Sequence, residues 1–194
     1  MKQLFIFTAI VTMGVIVSCS ASRRAAAQLP AFADTYGKEE QLTDTVLHRL
    51  QQENDVVIAA YTQNMSWGVH FDYTILTNKG GLWKSYLYSI SGTFAKKQTL
   101  FTEMPATNKK AADSILALLN NQALWRSRDN HETCNMQVSD GATSYLLMAS
   151  PSKVLRLSYY MPEQYQKFCP DSSRQQFISV FNKVQNLAQK VPSQ

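Results

Sequence analysis

Alternation of apolar and polar residues in the segment WGVHFDYTI, residues 67–75, is the feature that most constrains the fold. Every second side chain is apolar, and this period of two predicts a β-strand with one buried face. The segment NKGG at 78–81 is typical of a turn, and LWKSYLYSI then predicts a second strand. An even-sized loop aligns the apolar sides of the two strands and places Tyr73 opposite Tyr86. The sequence therefore predicts an antiparallel hairpin.

Further helices and strands are predicted on both sides of this hairpin. Apolar residues at helical spacing predict helices at 39–53, 108–121 and 172–188. Additional strands are predicted at 98–104, 134–138, 143–149 and 154–160. Short turns between consecutive strands favour antiparallel pairing. The predicted fold class is α+β, with an antiparallel sheet of about six strands and about three helices packed mainly on one face.

The amino terminus has the pattern of an export signal. After Lys2, an uninterrupted run of uncharged, mostly apolar residues extends over 4–17. This run is too short to cross a bilayer as a helix, which needs about 20 residues. The run ends in Ile-Val-Ser followed by Cys19, and this arrangement resembles the lipobox of bacterial lipoproteins. The resemblance implies that Cys19 carries a diacylglycerol on its sulfur, that the signal is cut before it, and that the new amino group is acylated.

The resemblance also implies where the mature chain begins and where it is located. Residues 1–18 would be a signal peptide, followed by the lipidated Cys19. The composition after Cys19 predicts a flexible tether over 19–38, and the remaining length predicts a single α+β domain at 39–194. Ser20 follows the cysteine where an aspartate would retain a lipoprotein at the inner membrane. The expected location is therefore the cell envelope, lipid-anchored in the outer membrane and facing the periplasm. The alternative is ordinary cleavage at a later alanine, which would release a domain without an anchor.

Two cysteines remain in the predicted domain, Cys134 and Cys169. An exported protein lives in an oxidising compartment, which predicts a disulfide between them. Closing a loop of about 35 residues would stabilise the fold by roughly 4 kcal/mol. The competing interpretation is a metal site built from His131, Glu132 and the two cysteines. Its spacing is weak for structural zinc, which uses four ligands in tighter pairs, so no metal and no cofactor is expected.

Three polar residues on the first hairpin are candidates for catalysis. The predicted register places Ser89 opposite His70, with Asp72 two residues further along the same strand face. A serine, a histidine and an aspartate together suggest a nucleophile, a base and an orienting group. No glycine-rich nucleophile turn accompanies them. We therefore favour the alternative, the solvated face of a half-buried antiparallel sheet.

Apolar residues on the same predicted face are candidates for binding. Trp83, Leu76 and Leu87 would share this face with His70 and form an apolar patch among polar groups. Such a patch can be a recognition surface, or it can be covered by the N-terminal helix or by a dimer partner. The tyrosine-rich segment YYMPEQYQKF at 159–168 could stack on sugars or peptides, or pack beneath the disulfide.

The charge distribution narrows the possible partners. The formal net charge is +5, from 19 Lys and Arg against 14 Asp and Glu, and the basic residues are scattered in pairs. A nucleic-acid site would cluster them on one face, so no nucleic acid is expected.

The sequence predicts a lipid-anchored envelope protein with a non-enzymatic binding or structural domain. Its partners would be the membrane, through the lipid, and an envelope protein, peptide or glycan. The alternatives are a periplasmic hydrolase and an inhibitor of an envelope enzyme.

Overall fold

The computed structural model describes residues 42–64, 69–93, 95–104, 107–129, 131–136, 138 and 140–189. Six strands in this part of the chain form one antiparallel sheet: β1 (Val56–Asn64), β2 (Val69–Lys79), β3 (Leu82–Gly92), β4 (Lys97–Glu103), β5 (Ala142–Ser150) and β6 (Lys153–Tyr160). Their order across the sheet is β4-β3-β2-β1-β5-β6. The helices are α1 (Thr45–Glu53), α2 (Lys109–Leu119), α3 (Gln122–Arg126), α4 (Pro162–Phe168) and α5 (Ser172–Gln189). The predicted α+β class with a six-stranded antiparallel sheet is confirmed.

The central strand β1 was not among the predicted strands. Its first six residues, VVIAAY, are all buried, because β1 lies between β2 and β5 with packed side chains on both faces. A strand buried on both faces is a continuous apolar run and shows no alternation. The strand predicted at 134–138 was wrong. A 3₁₀ turn at His131–Thr133 precedes this segment, whose described residues have irregular backbone.

The β2–β3 hairpin turns on two glycines. Gly80 and Gly81 have φ angles of +57° and +82°, which suit the two central positions of a tight hairpin turn. The turn therefore lies one residue later than the predicted register required. Tyr73 pairs with Tyr88, two residues beyond the predicted partner. The predicted faces are nevertheless correct, because a displacement of two residues leaves each side chain on its original face.

Helices cover the two faces of the sheet unequally. Helices α2, α3 and α5 pack on one face, which we call the helical face. Its buried core includes Ile58, Leu76, Leu146, Leu157, Phe177 and Val184. Helix α1 packs on the opposite face, which we call the aromatic face. Its buried core includes Leu47, Leu50, Val57, Ile75 and Leu147. The described helices thus lie mainly on one face, and α1 lies on the other.

A row of aromatic rings crosses the aromatic face. Tyr145, Tyr61, Tyr73, Tyr88 and Phe101 occupy directly paired positions on five neighbouring strands. The centroids of successive rings are 4.8, 4.4, 5.2 and 6.0 Å apart. Aromatic pairs directly across strands each contribute up to about 1 kcal/mol. The row therefore helps to hold five strands in one register.

Burial of this row predicts a loss of stability at alkaline pH. Burial, with a smaller contribution from Tyr61, raises the pKa of Tyr73. Burial, followed by the hydrogen bond to Asp44, likewise raises the pKa of Tyr88. In the unfolded chain these tyrosines lose their protons near pH 10, whereas the folded protein keeps them. Above about pH 10 the free energy of unfolding therefore falls by about 1.4 kcal/mol per pH unit for each tyrosine that stays protonated only in the folded protein. Urea titrations between pH 8 and pH 11.5 measure this slope.

The matched variant is Tyr73→Phe, which removes one of the two titrating tyrosines of this row. At pH 8 its stability should stay close to that of the wild type, since Tyr73 makes no hydrogen bond through its hydroxyl among the described residues. Above pH 10 its stability should fall less steeply. Equal slopes for the two proteins would contradict the assignment.

Candidate functional site

A cleft of about 440 Å³ opens beside the 3₁₀ turn, at the β6 side of the sheet. It is lined by His131, Glu132, Met136, Val138, Tyr160 and Tyr165. Tyr160 ends β6 and Tyr165 lies on α4, so three separate stretches of chain meet in the cleft. Glu132 is exposed, and the imidazole of His131 is 30% exposed. The cleft therefore combines aromatic and aliphatic walls with two ionisable groups that solvent can reach.

A disulfide forms part of the cleft wall. Cys134 is bonded to Cys169, with their Cα atoms 6.0 Å apart. The bond joins the segment after the 3₁₀ turn to the residue that ends α4. The predicted pairing of these two cysteines is thus present. Because both sulfurs are used, His131 and Glu132 lack the thiolate ligands that a metal site at this position required.

His131 is held by Asp129. Its Nδ1 lies 2.8 Å from Asp129 Oδ2, and its backbone N–H donates to Asp129 Oδ1 at 3.1 Å. The backbone N–H of Tyr160 also donates to Asp129 Oδ2, at 2.7 Å. An ionised carboxylate only accepts hydrogen bonds, so Nδ1 carries the proton. In the neutral ring Nε2 is then a hydrogen-bond acceptor with a set orientation.

Two tyrosines fix the backbone of the opposite wall. The Tyr160 hydroxyl accepts from Gly141 N–H and donates to the Val138 carbonyl, both at 2.9 Å. The Tyr165 hydroxyl donates to the Met136 carbonyl at 3.2 Å. The centroids of these two rings lie 5.3 and 5.4 Å from that of the His131 ring. Both hydroxyl groups are thus occupied by the protein, and the tyrosines offer a ligand mainly their rings.

The arrangement suits recognition of a ligand that donates hydrogen bonds. Two side chains of the cleft lining carry hydrogen-bond acceptors that the contacts above leave available, the His131 imidazole at Nε2 and the Glu132 carboxylate. The tyrosine rings, with Met136 and Val138, supply apolar contact area. Pockets of this kind use apolar walls for affinity and a few placed polar groups for orientation. The expected ligand class is one with hydroxyl, amide or amino donors beside an apolar surface.

The three catalytic candidates lie on β2 and β3, on the other side of β1 from the cleft. Ser89 Oγ donates to Asp72 Oδ1 at 2.6 Å, and His70 Nε2 lies 2.8 Å from Asp72 Oδ2. Asp72 thus stands between the other two residues, and His70 pairs with Ser91 across the strands. A catalytic histidine must instead stand between the serine and the aspartate to take the serine proton. The side chains of His70 and Asp72 are also 62% and 64% exposed to solvent.

The three binding candidates do not form one exposed patch. Leu76 is fully buried, and Trp83 packs against the same core while its Nε1 donates to Asp113 Oδ1 at 2.8 Å. Both are covered on the helical face, whereas the N-terminal helix α1 lies on the other face. Leu87 is 37% exposed, and beside it Leu100 on β4 is 66% exposed. Leu100 had no distinguishing sequence pattern.

Other predictions fall outside the described residues or are only partly covered by them. The signal, Cys19 and the tether lie outside the described part of the chain. Sequence reasoning considered His131 and Glu132 only in the disfavoured metal interpretation and noted the tyrosine-rich segment, but it did not join them in one cleft. Asp129 was missed, although an acidic residue two positions before a histidine is a local signal. In the segments that the structure describes, no helix is both long and apolar enough to cross a membrane.

Two comparisons of the sequence with known proteins found no relative. No protein-family model matches the sequence, and no curated protein is significantly similar to it.

Proposed function

We propose that this chain is an exported, lipid-anchored protein whose folded domain binds a hydrogen-bond-donating envelope ligand in the His131 cleft. The observation that carries the binding proposal is the oriented acceptor at His131 Nε2. Asp129 holds the ring through Nδ1, so the acceptor is in place before a ligand arrives. Such pre-organisation lowers the entropic cost of binding. Export and anchoring are carried by the Cys19 motif alone.

A fragment of peptidoglycan fits the chemistry of the cleft. Its sugar hydroxyls, amides and free amines donate hydrogen bonds, which the imidazole and the Glu132 carboxylate can accept. Its sugar rings and alkyl groups have apolar faces, which can pack against tyrosine rings. The proposed compartment also contains this material. We therefore choose a soluble disaccharide–peptide fragment as the test ligand.

Replacing His131 with alanine should weaken binding of this fragment about tenfold, or about 1.4 kcal/mol, the size of one hydrogen bond to a set acceptor. Isothermal titration calorimetry measures the affinity. Shifts of the Tyr160 and Tyr165 ring signals in NMR spectra locate the ligand. The control is His48→Ala, which removes an exposed histidine of α1 on the aromatic face. Absence of binding to the wild type, or equal losses in both variants, would refute the cleft as the site.

The anchor is tested separately through Cys19. In the native host, Cys19→Ser should move the protein from the membrane fraction to the soluble fraction, because the thiol that carries the lipid is absent. Mass spectrometry of the wild-type protein should find an acylated cysteine at the mature amino terminus. A bare Cys19, or a mature chain that begins after it, would contradict anchoring and leave the cleft proposal intact.

A further inference from the structure

Strand β4 forms an exposed edge of the sheet. Among the described strands it pairs on one side only, with β3. All of its seven residues except Phe101 are exposed, and the Leu100 side chain is 66% exposed. An open edge presents unpaired backbone donors and acceptors to any other extended chain. An exposed leucine in its centre increases the tendency to pair.

The ladder with β3 determines which backbone groups of β4 point outward. Met104 N–H donates to the Ser85 carbonyl at 2.8 Å beyond one end of the ladder. Thr93 and Lys96 exchange hydrogen bonds beyond the other end. Bonded pairs alternate with non-bonded pairs in an antiparallel ladder. The even-numbered residues of β4 therefore bond to β3, and the odd-numbered ones direct their N–H and C=O groups outward.

We propose that β4 pairs antiparallel with β4 of a second copy of this chain, about a two-fold axis at Leu100. The outward-facing Lys97 then lies opposite Glu103 of the second copy, and Thr99 lies opposite Phe101. All four of these residues have outward backbone groups, so the pairing forms about eight hydrogen bonds. The two six-stranded sheets become one continuous sheet.

Charge and side-chain contacts select this register. The strand carries one positive charge at its start and one negative charge near its end, at Lys97 and Glu103, so an antiparallel copy matches both. Moving the axis to Thr99 places Lys97 opposite Phe101, and moving it to Phe101 places Glu103 opposite Thr99. In neither register does a charge face its opposite. With the axis at Leu100, the two exposed leucines are in direct contact. Lys84 on β3, 3.0 Å from Glu103, keeps that carboxylate on the aromatic side of the edge.

The size of the contact sets the expected affinity. One strand and its flanking side chains make a small interface, of the kind found in weak or transient complexes. Exposed ion pairs add little to this. The expected dissociation constant is therefore on the order of 10–100 μM. Sedimentation velocity between 2 and 500 μM covers the transition.

Two substitutions at the edge should keep the chain monomeric. Leu100→Lys places like charges against each other at the axis, and Thr99→Pro removes an outward N–H without touching the bonds to β3. Both should weaken dimerisation by at least tenfold. The matched control is Leu82→Lys, because Leu82 is 65% exposed at the hairpin tip, away from the β4 edge. Its dimerisation should equal that of the wild type.

A cysteine at the axis tests the register itself. In the proposed pairing the Leu100 Cα atoms of the two copies are about 4.5 Å apart, within disulfide range. With Cys19→Ser in all proteins, mild oxidation of Leu100→Cys should yield a covalent dimer, and Leu82→Cys should not. A wild type that stays monomeric at 500 μM, or a dimer that Leu100→Lys and Thr99→Pro leave unchanged, would overturn the proposal. A monomer whose edge binds an extended peptide of another protein would also overturn it.

Discussion

The free energy of unfolding is expected to fall by about 4 kcal/mol when Cys134 and Cys169 are both replaced by alanine. The bond closes a loop with a sequence separation of 35 residues, so its removal mainly enlarges the unfolded ensemble. The change should also release the cleft wall, because the bond ties the 3₁₀ segment to the end of α4. Urea denaturation of the variant and of the wild type measures the difference.

Wild-type protein treated with a reductant is the internal control. Reduced wild type and the double variant should unfold at nearly the same urea concentration, since both lack the bond. Cys19→Ser serves as the common background of both proteins in this comparison, because it prevents exchange with a third thiol. Amide exchange should accelerate around residues 131–138 more than in β1. Equal midpoints for the variant and the oxidised wild type would show that the bond does not stabilise the fold.

Replacing Arg174 with alanine should cost about 3 kcal/mol of stability. Arg174 is a charged side chain only 1% exposed at the start of α5. Its Nη1 donates to the Cys169 carbonyl at 2.6 Å, and its guanidinium lies 5.8 Å from the Tyr165 ring centroid. Alanine leaves a cavity and removes the donor of that carbonyl, and both changes disfavour the native state. Thermal and urea denaturation measure the loss.

Two further variants separate burial from charge. Arg128→Ala removes an exposed arginine and should change stability by no more than about 0.5 kcal/mol. Arg174→Met keeps much of the side-chain volume but not the donor, so its loss should lie between those of Arg128→Ala and Arg174→Ala. If Arg174→Ala were as mild as Arg128→Ala, the buried contact with Cys169 would carry no stability.

The expected losses of stability in the disulfide and Arg174 variants arise in the same region, around the end of α4. The disulfide and Arg174 both act on Cys169, the first of the three residues between α4 and α5. Their effects should therefore not add, because residues that share a partner are coupled. The same region places Tyr165 against His131. The cleft therefore depends on contacts outside the sheet as well as on Tyr160 of β6.

The local pattern of apolar residues was sufficient to predict a strand or helix where only one face of that element is buried. Alternation in β2 and β3 predicted the strands and their faces, and helical spacing predicted α2 and α5. The same rule missed β1, whose side chains are buried on both faces and so do not alternate. The hairpin register was wrong by two residues. It depended on which two residues of NKGG take positive φ angles, and only Gly80 and Gly81 do so without strain.

Less of the candidate site than of the fold could be predicted from the sequence. His131, Glu132 and the tyrosines were noted individually, but their neighbours come from β6 and α4, about 30 residues away in sequence. Local periodicity holds no information about such distant contacts, because it records only which side of an element is buried. The order of His70, Asp72 and Ser89 also depends on register and side-chain geometry. Sequence named these three residues, and the structure placed the aspartate between the other two.

The amino-acid sequence by itself determined the α+β class, the antiparallel hairpin, the paired cysteines and the lipobox-like motif at Cys19. Each of these follows from local composition or spacing, and the cysteine pairing was predicted from the expected oxidising compartment. Tertiary structure alone decided that β1 is central, that Leu76 is covered while Leu100 is exposed, and that Asp129 orients His131 in a cleft. Burial and hydrogen-bond partners are set by which distant segments pack together. Packing is a property of the whole folded chain and not of any single segment.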